Sequence, residues 1–244
     1  MEKTCSAVIL GVGPQRGLGA TLAKRFAAEG FHVFIAGRSE DKLQRVAESI
    51  KQMGSEVTCV TADATQEHDI NHLFEVIQLN NTALQIAVYN VDSNIPAAIL
   101  ETETETFTQL WQQNCLGAFL FAKEAIASMR PNHQGSLFFT GATASLRAKP
   151  PFTAFASAKS ALRALSQGLA REFSPQGIHV VHTIIDGVIN GERAEQQFPD
   201  YYQSKGEQGL LKLEAIADTY WSIHCQHPSA WTHELDLRPF KEPF

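Results

Sequence analysis

A chain of 244 residues with 44% hydrophobic and 19% charged content can bury one substantial core and has the composition of an ordinary soluble globule. Its formal charge of −6 excludes, as a first expectation, nucleic acid and anionic membrane as partners, because both would repel it. The four cysteines, Cys5, Cys59, Cys115 and Cys225, form no CxxC pair, which suits a reducing, cytoplasmic setting.

The first apolar run, Ser6–Gly11, reads as a strand buried on both faces, and its early glycine stop makes it too short for a signal peptide or membrane span. A helical stretch follows over Gly17–Glu29, ended by Gly30. Next come a strand at His32–Ala36, a helix at Asp41–Met53 and a strand at Glu56–Thr61. The pattern continues with a helix at Gln66–Leu79, a strand at Gln85–Tyr89 and a long helix at Glu105–Met129. A strand at Ser136–Thr140, a helix at Thr153–Phe173 and a strand at His179–Ile185 close the regular part. This alternation predicts an α/β fold, a doubly wound parallel sheet with helices on both faces, as one domain over residues 1–244. Gly187–Gly209 is polar and reads as a loop with a short helix, so residues 187–213 form a candidate substrate-loop segment. A helix at Glu214–Cys225 and a closing strand in THELDLRPF complete the chain.

GVGPQRGLG, Gly11 to Gly19, lies between the first strand and the first helix. Glycines there let backbone approach a pyrophosphate, and the helix N-terminus supplies free N–H groups and a positive dipole. A turn needed only for packing is the alternative, and the strand–loop–helix context weighs against it. The second strand is followed by Arg38 with no acidic residue at the place that would favour NAD, and Arg16 sits inside the loop. Two guanidiniums at that corner suit the 2′-phosphate of NADPH, against the alternative that both are solvated surface charges.

With these motifs in place the sequence resembles the short-chain dehydrogenase/reductase family, a Rossmann-type fold, over essentially its whole length. Gly13, Gly17 and Gly19 have that family's glycine spacing, and Asp63 in TADAT matches its adenine-binding aspartate. Asn90 matches part of an Asn-Asn-Ala-Gly motif that stands here as Tyr89-Asn90-Val91-Asp92. Asn114 in WQQNCLGAF and Lys159 in FASAK match the family's active-site asparagine and lysine. The resemblance implies catalytic roles for Lys159 and Asn114. It also implies NADPH binding by Gly13, Arg16, Gly17, Leu18, Gly19, Arg38, Asp63, Ala64, Asn90 and Lys159.

At two positions the pattern breaks. Phe155, four residues before Lys159, stands where the family carries a tyrosine, and Ala142, thirteen before Phe155, stands where it carries a serine. In the family that tyrosine protonates the substrate oxygen, the lysine lowers its pKa, and the serine donates a second hydrogen bond. Thr140, Thr143, Ser145, Tyr201, Tyr202, His182, Lys149 and Asp186 are candidates to replace the lost groups. For His182 the packed, hydrogen-bonded reading leads, for Lys149 a surface position, and for Asp186 turn formation with Gly187 is equally good. The pairs His68/His72 and His224/His227 lack a third ligand, so no metal is expected.

The resulting reading is an NADPH-dependent oxidoreductase acting on a small carbonyl or activated double bond by an altered proton route. The alternative is a non-catalytic NADPH sensor on the same fold. Phe119, Phe121, Leu162 and Leu165 give the two long helices more apolar residues than one sheet face needs, which, with the family's habit, predicts a homodimer or homotetramer.

Overall fold

The computed structural model describes residues 4–242. Its elements in chain order are β1 (Cys5–Leu10), α1 (Leu18–Ala28), β2 (His32–Gly37), α2 (Glu40–Gln52), β3 (Val57–Thr61), α3 (Glu67–Leu79) and β4 (Ala83–Tyr89). They continue with α4 (Thr104–Trp111), α5 (Gly117–Met129), β5 (Gly135–Ala142), α6 (Thr153–Phe173) and β6 (Ile178–Ile185). Last come β7 (Val188–Ile189), α7 (Glu192–Gln197), α8 (Pro199–Lys205), β8 (Leu210–Leu211), α9 (Leu213–His224) and β9 (Glu234–Leu237).

The main sheet has seven parallel strands in the order β3-β2-β1-β4-β5-β6-β9. Alternation along β1 explains why both faces are covered. Ala7 and Ile9 pack with Leu22, Phe26, Val46 and Tyr220 from α1, α2 and α9, while Val8 and Leu10 pack with Phe74, Phe121 and Leu162 from α3, α5 and α6. The chain winds outward in opposite directions from β1 and β4, and sheets of this order take their ligands at the carboxyl ends of two such neighbours.

Three details differ from the sequence reading. The helix expected over Glu105–Met129 is interrupted by a π turn at Gln112–Leu116. The segment after β6 is not mainly loop, because β7 and β8 pair as a small parallel ladder framing α7 and α8. Of the four residues expected to be surplus on the long helices, Phe121 and Leu162 are core, Leu165 packs partly against it, and Phe119 is exposed. The core on that face of the sheet absorbs most of this apolar surface.

Candidate active site

After β1 the chain turns through Gly11, where φ is 100° and a side chain would meet the Asn90 backbone at 2.6 Å. Asn90 donates through Nδ2 to the Gly11 carbonyl at 3.1 Å, and its Oδ1 accepts from Thr140 Oγ1 at 3.1 Å. Both ends of the Asn90 side chain therefore shape the loop. The Thr140 hydroxyl also meets the Tyr220 hydroxyl at 3.0 Å. Gly17 precedes α1 with no side-chain cap, which leaves the first amides of that helix open for an anion. A Cβ on Gly13 would find nothing within 4 Å, so the loop faces open space where phosphates would lie. Gly19 is the opposite case: a Cβ there would stand 2.7 Å from the Gly11 carbonyl and 3.0 Å from Val12 Cα. We expect Gly19→Ala to displace the loop and weaken dinucleotide binding about tenfold or more, read by fluorescence titration, while the circular dichroism spectrum is retained.

Arg38 stands exposed just beyond β2. Arg16 is paired with Glu195 of α7, both side chains being half exposed, and its carbonyl accepts from the Glu192 amide at 2.9 Å. Asp63 Oδ1 accepts from the Thr65 amide at 2.9 Å and the Thr65 hydroxyl at 2.8 Å, which aims the carboxylate and leaves Oδ2 for a ligand. Ala64 is buried, and Leu18 is packed in the core, so what each offers a cofactor is backbone.

Helix α6, packed on β5 and β6, brings Lys159 to the end of β5 and to the residues after β4. Phe155 and Lys159 are one helical turn apart on the buried face, and the Lys159 ammonium lies 5.7 Å from the Phe155 ring centroid. Lys159 is 1% exposed; Nζ donates to the Thr140 carbonyl at 3.1 Å and meets Asp92 Oδ1 at 3.0 Å. Asp92 Oδ2 accepts from Arg193 Nη1 of α7 at 3.0 Å, and Arg193 Nη2 donates to Asn94 Oδ1 at 2.6 Å. Burial alone would raise the Asp92 pKa, but the Lys159 and Arg193 cations outweigh it and hold the carboxyl below its usual range. Asn114, in the π turn, donates to the Leu110 carbonyl at 2.9 Å and the Ser93 carbonyl at 3.2 Å, and its buried Oδ1 has no partner among the described residues.

The candidates for the missing hydroxyls are mostly committed elsewhere. Thr143 donates to Asp186 Oδ1, and Arg147 and Arg238 also bind that carboxylate, so Asp186 is an anchored ion-pair partner and not a free acid. The Tyr202 hydroxyl donates to Asn190, while Tyr201 and Lys149 are exposed. His182 is fully buried against Glu234 at 2.9 Å, and burial pushes its pKa down to about 4, so it is the packed neutral histidine that the sequence suggested. Ser145 Oγ accepts from the Ala142 amide at 3.1 Å and keeps its own proton to donate. Among the described residues no three potential metal ligands come together.

Sequence reasoning missed Asp92 and Arg193 as parts of this site. A signal existed for Asp92: a carboxylate at the end of the motif Tyr89-Asn90-Val91-Asp92, where the family carries glycine. Nothing in the polar run around Arg193 marked it.

The family model described as short chain dehydrogenase matches residues 7–201. A short-chain dehydrogenase structure from Rhodopseudomonas palustris superposes with a TM-score of 0.82 at 35% identity, covering 97% of this chain and 99% of that one. An uncharacterized oxidoreductase of Staphylococcus aureus is 26% identical over 96% of both chains. The L-sorbose reductase of Gluconobacter frateurii, solved with NADPH and L-sorbose, shares the fold with a TM-score of 0.84 at 20% identity, covering 98% of both chains.

Proposed function

Because the chain belongs to the short-chain dehydrogenase family, an oxidoreductase family, we propose that it is an NADPH-dependent reductase of a small carbonyl or activated double bond that works without the family's tyrosine proton donor. The observation that carries this reading is the buried Lys159 ammonium at the carboxyl ends of β4 and β5, in line with an open glycine cradle. A charge taken that far out of water must be paired and hydrogen-bonded, and Lys159 is held at this place by Asp92 and the Thr140 carbonyl. The loop residues Gly13, Gly17, Leu18 and Gly19 would hold the pyrophosphate, Arg16 and Arg38 the 2′-phosphate, Asp63 and Ala64 the adenine, and Lys159 the nicotinamide ribose, while Asn90 holds the loop in shape. When bound, the nicotinamide supplies a hydride. Ser145 has a hydrogen to offer a substrate oxygen, and solvent supplies the proton that Phe155 cannot. The exposed Phe107, Trp111 and Phe119 along α4 and α5 support a homodimer or homotetramer.

Binding titrations test the cofactor reading. NADPH is expected to bind at least about tenfold tighter than NADH, and Arg16→Ala with Arg38→Ala is expected to erase that preference. An NADH preference in the native chain would overturn it. A second reading, a non-catalytic NADPH sensor, draws on Phe155 and Ala142, neither of which offers a proton. Aldehyde, quinone and enone panels followed by NADPH absorbance separate the two, since a sensor leaves the absorbance unchanged.

A further inference from the structure

We propose that Asp92 is the hydroxyl acceptor for the nicotinamide ribose and the standing partner of Lys159, filling the place next to the lysine where Phe155 offers no oxygen. The inference rests on the NADPH reading above and goes beyond it, because it assigns a ligand contact to a residue at which this chain departs from its family's motif.

Three observations support it. An ammonium buried to 1% exposure needs an anion or several acceptors close by, and the partners of Lys159 are the Thr140 carbonyl at 3.1 Å and Asp92 Oδ1 at 3.0 Å. The Asp92 side chain is 30% exposed although its lysine partner is sealed in; Oδ1, toward the ammonium, is buried, so the exposure lies on the rest of the side chain. Finally, the pair is chemically complete for a vicinal diol. An ammonium only donates, so it can meet a hydroxyl oxygen but leaves the hydroxyl hydrogen without an acceptor. A carboxylate only accepts, and two ion pairs leave it lone pairs to spare. Asp92 thus offers a sugar hydroxyl the acceptor that the lysine cannot. Arg193, holding Oδ2 at 3.0 Å, keeps the group ionised and turned toward α7.

The competing explanation is that Asp92 merely neutralises the lysine. The two differ in sign, because a neutraliser opposes binding of an anionic dinucleotide and a ribose acceptor favours it. The test is to titrate NADPH and 2′,5′-ADP, which lacks the nicotinamide ribose, into the full chain and into Asp92→Asn and Asp92→Ser. The expected result is NADPH affinity lower by about tenfold or more in both variants, with 2′,5′-ADP affinity within about twofold of the native chain. The ratio of the two affinities does not depend on the fraction of folded protein. Unchanged or tighter NADPH binding in the variants overturns the inference, as does an equal loss for both ligands. A native chain that fails to bind 2′,5′-ADP overturns the NADPH reading itself, and the inference with it.

Discussion

A Phe155→Tyr, Ala142→Ser double variant is expected to remain a poor carbonyl reductase, and adding Asp92→Gly to it is expected to raise turnover about tenfold or more. A positioned general acid contributes about 10²–10⁴-fold and a single oxyanion donor about 10²–10³-fold, so restoring both hydroxyls has large scope for gain. The limit is electrostatic. A phenol at position 155 would stand above an ammonium whose nearest anion is already Asp92, at 3.0 Å. The carboxylate opposes ionisation of the phenol and offsets the help from Lys159, so the new tyrosine would lack the lowered pKa that an unpaired lysine would give it. Removing the carboxylate returns the lysine's charge to the phenol and lowers its pKa. Difference absorbance of tyrosinate against pH, with the native chain as blank, reports that shift independently of turnover. Equal rates and equal phenol titration in the double and triple variants would show that Asp92 does not control the lysine's field.

The second large effect is on stability in acid. Burial pushes His182 down to about 4, and burial, together with the neighbouring His179, does the same to His224. Both side chains are therefore neutral in the folded protein at pH 5 and mostly protonated in the unfolded one, whose histidines titrate near 6.5. A group with a depressed folded pKa contributes stability above its unfolded pKa and loses it as pH falls toward the folded value, here the window from about 6.5 down to about 4. At pH 5 each histidine would cost about 2 kcal/mol relative to pH 7.5, or about 4 kcal/mol together, a large part of the ~5–15 kcal/mol typical of a domain. Glu234 does not mask the effect, because Arg163 foremost holds it near about 2, so its own contribution fades only below the ordinary carboxylate range. Urea unfolding midpoints at the two pH values measure the loss, and His182→Gln and His224→Gln should each flatten the slope.

The architecture was legible because its signals are local and redundant. Strands buried on both faces read as apolar runs, and Gly30 and Gly54 stop two helices where the sequence said they would. The family's glycine spacing, Asn114 and Lys159 marked the same candidate site in the sequence. What stayed hidden depends on contacts across the fold. The π turn at Gln112–Leu116 contains neither glycine nor proline to mark it in composition. The two-residue strands β7 and β8 are too short for any periodicity and exist through each other. Asp92 and Arg193 acquire their meaning from Lys159, which is brought to them by strand order and helix packing and not by neighbourhood in sequence. Asp186 is the reverse case, since an isolated acid beside a glycine left chemistry and a turn equally open until Thr143, Arg147 and Arg238 were found gathered around it.

Thr140 gives these separate regions a common point of support. Its hydroxyl joins Asn90, which in turn grips the Gly11 carbonyl, and reaches the phenol of Tyr220 on the far helix layer. Its carbonyl receives the ammonium of Lys159. One small residue at the end of a central strand is thus tied both to the glycine loop and to the buried lysine. The two halves of the cleft share a keystone, and any disturbance reaching it, even from the opposite side of the sheet, is passed to both together.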